Sequence, residues 1–171
     1  MVLVLDRISK ESEAKLAMAH ILMLLERYDV AEKLLIEANR PNEALQMRRD
    51  LYQWKKALDI ANEFCHEAIS ELALEYALSQ EYAGEYHSAL ELYENAKRAN
   101  LNEVVGGNSL RKEDMTENEN KKRNELIKIE EGIARACIRV GLHEKGVHIA
   151  NKSESKAFKK QCAEILESLK V

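Results

Sequence analysis

Apolar residues recur along the chain at three- and four-residue spacing, interrupted by short polar intervals. This rhythm predicts helices over residues 10–27, 29–39, 41–50, 53–64, 67–83, 85–99, 121–140, 142–151 and 153–170. The last stretch shows it plainly, because Ala157, Phe158, Cys162, Ile165, Leu166 and Leu169 fall on one helical stripe. Pro41 opens the third helix, where a missing N–H costs nothing, and Asn39-Arg40 precede it. Val, Ile and Thr are too sparse to supply several buried strands, which argues against an all-β or α/β core.

The helices come in pairs. An aromatic residue or His, followed three positions later by Ala or Gly, recurs four times: Tyr28 with Ala31, Trp54 with Ala57, Tyr86 with Ala89, and His143 with Gly146. The third copy begins at Gly84 and continues through Tyr93 and Ala96, and the fourth begins at Gly141. A Gly just past the first helix accepts a left-handed turn, the aromatic wedges between the two helices, and the small residue lets their backbones approach. Counting back places a second small residue in the first helix of three units, at Ala19, Ala77 and Ala134. This spacing is similar to the tetratricopeptide signature, whose period is about 34 residues. The expected architecture is all-α, a right-handed solenoid of four irregular TPR-like hairpins plus one further helix. It forms a single segment over residues 1–171, with a mobile insertion at 100–120 rich in Asn and carrying Gly106-Gly107.

With no hairpin partner after it, the final helix is expected to leave Phe158, Cys162, Ile165 and Leu169 as an association surface. The segment then reads as a piece of a longer solenoid, prone to self-association when isolated. A second candidate surface follows from the repeat register, which puts Leu16, His20, Met23, Leu74 and Leu78 on the inner face. Their apolar character favours packing on another helix over clamping an acidic tail.

Composition narrows the function classes. Ala, Leu, Glu, Lys and Arg make up more than half of the chain, while Pro occurs once and aromatics are few, as in thin helical layers. The net charge of −4 comes from 26 basic and 30 acidic residues, interspersed without a basic stripe, so no nucleic-acid partner is expected. Cys65, Cys137 and Cys162 stand far apart without a CxxC pair, which fits a reducing compartment and no disulfide framework. The first residues lack a basic n-region, and no window approaches a membrane span, so a soluble chain without membrane insertion is expected. The five His residues are scattered, no HExxH occurs, and Gly106-Gly107 lacks the Lys-Ser/Thr of a phosphate loop. Neither catalytic residues, a metal nor a cofactor are expected.

The run from Leu24-Leu25-Glu26-Arg27-Tyr28 through Ala31 and Pro41 to Trp54-Lys55-Lys56-Ala57-Leu58 resembles the helical region of the intraflagellar transport protein 144 (WD repeat-containing protein 19) family. Ala89-Leu90-Glu91-Leu92-Tyr93-Glu94, Gly132-Ile133-Ala134-Arg135 and Cys162-Ala163-Glu164-Ile165 fit the same order and register. The resemblance implies a non-enzymatic scaffold in intraflagellar transport complex A, with the other complex A subunits as partners. It further implies a place in the cilium and basal body, on the cytoplasmic side, in retrograde transport and cargo entry. A peptide-binding TPR adaptor, or a vesicle-coat-type solenoid outside the cilium, is the alternative that the repeat chemistry leaves open.

Overall fold

The structure is a computed structural model. It describes the backbone of residues 2–106 and 117–169 and the side chains of residues 11–102, 117 and 120–169. Among the described residues nine α-helices follow one another: α1 (Val2–Leu24), α2 (Tyr28–Glu37), α3 (Pro41–Asp50), α4 (Trp54–Phe64), α5 (Ile69–Tyr82), α6 (Tyr86–Gly106), α7 (Glu117–Val140), α8 (His143–Lys152) and α9 (Lys156–Ser168). One 3-10 turn, His66–Ala68, precedes α5, and no strand occurs among the described residues. The chain is an all-α run of TPR-like helical hairpins. Where the sequence reading has one segment, the helices gather into two compact units, Met1–His66 and Glu67–Val171.

Five of the turns share one hydrogen-bond pattern. After α1, Arg27 N–H donates to Leu22 C=O at 2.8 Å and Glu26 N–H to Met23 C=O at 3.1 Å. This crossed pair is the Schellman motif, which satisfies the last carbonyls of a helix when the residue after its cap turns left-handed. The same pair closes α2 at Asn39 and Arg40, α3 at Tyr52 and Gln53, α5 at Gly84 and Glu85, and α7 at Gly141 and Leu142. The left-handed residues have φ of +59° (Glu26), +60° (Asn39), +55° (Tyr52), +83° (Gly84) and +94° (Gly141). Only two are glycine, so the other three turns carry no glycine signal in the sequence. At Gly84 and Gly141 no atom lies within 4 Å of where a Cβ would stand, so the backbone sign alone favours glycine there.

Glu26 bears the steric cost that glycine avoids. Left-handed backbone costs an ordinary residue about 1–2 kcal/mol, partly offset by the larger entropy loss of glycine on folding. Glu26→Gly is therefore expected to stabilise the chain by about 0.5–1 kcal/mol. Urea unfolding measures this, and a variant less stable than the parent would count against the turn geometry.

The first unit packs α1 on α2 and α3 on α4 through small residues. Ala19, Ala31, Ala44, Ala57 and Ala61 are fully buried, with Leu35, Met47 and Ile60 filling between them. Helices carrying Ala at their crossings approach closely, which is why a thin layer buries a core with few aromatics. In the second unit Ala77, Ala89, Ala96 and Ala134 are likewise buried, with Tyr93 fully enclosed among them. Gly146, buried in α8, meets Ile138 so closely that a Cβ would lie 2.6 Å from its Cγ1.

Several expectations need correction. The insertion at 100–120 is entered by helix from both sides, since α6 runs to Gly106 and α7 starts at Glu117. The span between them lies outside the described residues. No Pro or Gly interrupts α6 before its end, and Asn100 is buried in it, donating through Nδ2 to Lys122 C=O at 3.4 Å. α1 begins at Val2, well before residue 10. α9 starts later than expected because Ser155 caps it, its hydroxyl accepting from Phe158 N–H at 3.2 Å.

Candidate functional site

The sequence-predicted wedge residues occupy the first position of the second helix in each hairpin: Tyr28 opens α2, Trp54 α4, Tyr86 α6 and His143 α8. This position lies at the rim of the layer. Tyr28, Trp54 and Tyr86 are therefore half-buried and His143 is exposed, which corrects the expectation of an inter-helix wedge at His143. The deeply enclosed ring is Tyr93, two turns further into α6.

The final helix is also corrected. Phe158, Cys162 and Ile165 are buried against Ala134, Ile138 and Ala150 of α7 and α8, and only Leu169 stays exposed. An amphipathic helix after a hairpin folds its stripe back onto that hairpin, so no apolar row awaits an outside partner. The self-association inferred from that stripe loses its premise. Ile165→Glu is accordingly expected to destabilise the second unit by about 2–3 kcal/mol, from lost packing and a poorly solvated carboxylate. Thermal unfolding followed by circular dichroism reads this, and an unchanged midpoint would place Ile165 at the surface.

Of the expected inner-face residues, Leu74 belongs to the core, Leu16, Met23 and Leu78 are half-buried, and His20 is exposed, 3.5 Å from Glu43. Leu74 therefore drops out as an interface residue, because its neighbours within the fold already cover it.

Leu78 lines an open groove of about 410 Å³ in the second unit, together with Tyr82 of α5, Tyr86 of α6, Arg139 of α7 and Ile165 of α9. Glu81 and Arg135 form its polar floor. Arg135 donates to both Glu81 oxygens, from Nε at 2.7 Å and from an Nη at 3.0 Å. Tyr93 O–H donates to the same carboxylate at 2.5 Å. Burial first, and then the bond to Glu81, pushes the Tyr93 hydroxyl well above the usual tyrosine range, so it stays a neutral donor. Tyr82 is 90% exposed, and the Arg139 guanidinium sits 5.4 Å from the Tyr86 ring centroid, a cation–π arrangement.

The first unit holds the other polar centre. Arg48 of α3 is 1% exposed and donates to Glu32 at 2.5 Å, Asp29 at 2.6 Å and Gln53 at 2.5 Å, tying α3 to α2 and to the turn that leads into α4. Lys56 reaches the same Asp29 oxygen at 2.5 Å. Sequence reasoning missed both centres. Nothing in the run Met47-Arg48-Arg49-Asp50 marks Arg48 as buried, and Glu81 and Arg135 stand 54 positions apart. The acidic Asp29 and Glu32 on one face of α2 were the available hint to a buried cation nearby.

Chemistry of other kinds finds little to work with. Among the described residues no group of three His, Cys, Asp or Glu gathers as metal ligands, and no helix is long and apolar enough to cross a membrane. All three cysteines are buried thiols outside any disulfide, and burial pushes the Cys137 and Cys162 thiols up. Cys65 donates to Asn42 Oδ1 at 2.8 Å.

Residues 1–76 match the family model described as the IFT80/172/WDR35/WDR19 TPR domain. Over 170 residues, 99% of this chain, the sequence is 36% identical to the WD repeat-containing protein dyf-2 of Caenorhabditis elegans. Over 169 residues it is 31% identical to WD repeat-containing protein 19 of Homo sapiens and 30% identical to that of Mus musculus. In each case the chain spans 11% of the relative's length.

Proposed function

Because the chain is homologous to a segment of the WD repeat-containing protein 19 family, we propose that it is a structural scaffold segment of an intraflagellar transport complex A subunit. Its work is protein–protein contact during retrograde ciliary transport and the entry of cargo into the cilium. Its partners are the other complex A subunits, its place is the cilium and basal body on the cytoplasmic side, and it is not an enzyme. The observation that carries this reading is similarity along 99% of the chain, well beyond the repeat anchors alone. Thin hairpin layers support it physically, since they expose much surface for each residue buried and hold that surface on rigid helices.

The test is made in ciliated cells. Excising this segment from its gene should leave complex A incompletely assembled and cargo accumulated at ciliary tips. Normal assembly and normal return transport without the segment would refute the reading. The adaptor alternative draws support from the groove around Arg139, which has the size and openness to take a short peptide.

A further inference from the structure

Glu81 and Arg135 compensate each other's charge across the groove floor, at 2.7 Å. Arg139, on the same wall, is exposed and has no carboxylate partner and donates no hydrogen bond among the described residues. Its contact with the Tyr86 ring holds the guanidinium without spending its N–H donors. It also lies in the last turn of α7, where the helix carbonyls favour a cation and help keep it in place. A planar fork of unspent donors matches a carboxylate in two-point geometry. Beside it stand Leu78, half-buried, and Tyr82, whose ring is almost wholly in water. An aromatic so exposed next to a free guanidinium has the composition of an interface anchor.

We propose that this groove seats a short segment of a partner protein that carries an aspartate or glutamate beside an apolar side chain. The carboxylate meets Arg139, and the apolar side chain lies on Tyr82 and Leu78. Charge complementarity selects this occupant. An all-apolar helix would strip water from Arg139 without replacing its hydrogen bonds, and a basic segment would meet like charge. The proposal deepens the proposed function, for scaffold and adaptor alike, and rests on it for the partner being a protein.

A random heptapeptide library displayed on phage, selected on the immobilised 171-residue chain and in parallel on its Arg139→Glu variant, tests it. Peptides enriched on the parent should carry Asp or Glu next to Leu, Ile, Phe, Tyr or Trp. The best of them, made synthetically, should bind Arg139→Glu and Arg139→Gln about tenfold more weakly, the scale of one lost charge-assisted contact. Its carboxylate-to-Lys version should regain affinity for Arg139→Glu but not for Arg139→Gln. Melting curves of both variants confirm that they fold, and if Arg139→Glu fails to fold, Arg139→Gln still decides the affinity. Absence of enrichment, enrichment without acidic residues, or equal binding to Arg139→Gln would each overturn the proposal. So would a dimer in sedimentation that Arg139→Gln abolishes, because the occupant would then be a second copy. Excision of the segment reports on the scaffold reading separately: a complex that fails to assemble without the segment, with no peptide selected, sinks the groove and spares the scaffold.

Discussion

Tyr93→Ala should lower the stability of the second unit by about 3–5 kcal/mol, among the larger losses any single substitution in this chain is expected to produce. The ring is wholly enclosed, and its hydroxyl donates to Glu81, which also accepts both bonds from Arg135. Truncation opens a cavity the size of a ring between α6 and α7 and takes one donor from a half-buried carboxylate. Tyr93→Phe keeps the ring and removes only that donor, so its cost should be about 1 kcal/mol. Calorimetry separates the two. If Phe and Ala cost the same, the hydroxyl network and not the packing holds α6 to α7.

Gly132 provides an internal control. A Cβ there would overlap the Tyr93 ring, approaching 2.8 Å from its Cδ1 and closer still to two other ring atoms. Glu81 restrains the ring through its hydroxyl, so Gly132→Ala should cost about 1–3 kcal/mol by overpacking. In the Tyr93→Ala background the same methyl enters an empty space, and the double variant should be more stable than the sum of the single losses requires. Strict additivity would mean that the two residues do not touch.

The contrast between Ala77 or Ala134 and Tyr93 shows what the sequence makes legible. Small residues at helix crossings repeat with the hairpin period, so counting from one anchor finds the next, and the all-α class follows from the same rhythm. Depth within a layer does not repeat in that way. Tyr28, Trp54 and Tyr86 share a motif position but stand at the rim as first residues of their helices, whereas Tyr93 is enclosed because Gly132 on a different helix leaves room for it. Likewise Glu26 and Tyr52 take left-handed backbone with no glycine or asparagine to signal it. The groove draws Leu78, Tyr82, Tyr86, Arg139 and Ile165 from four helices, and Tyr82 and Arg139 carried no pattern that marked them beforehand.

Arg48→Met is expected to destabilise the first unit by about 3–5 kcal/mol, because it removes the cation from a buried network and strands its acceptors. Met keeps most of the stem volume, so the loss reports on the guanidinium more than on packing. Glu32, only 23% exposed at its side chain, loses the partner that offsets its burial, and Gln53 loses its donor. Asp29 behaves differently because its side chain is 73% exposed and it also holds Lys56. The Lys56 ammonium, and after it the Arg48 guanidinium, bring the Asp29 carboxyl down from 3.8 to about 2. A folded-state value below the unfolded one means stability that is fully present above the unfolded value and disappears as the pH falls through about 2. Lys56 is the larger cause, so Lys56→Met should raise the Asp29 value further than Arg48→Met does. An NMR titration of the Asp29 carboxyl in both variants checks the order. A larger rise in Arg48→Met would make the buried arginine the principal partner of Asp29, and the exposed Lys56 contact would then be an accessory to it.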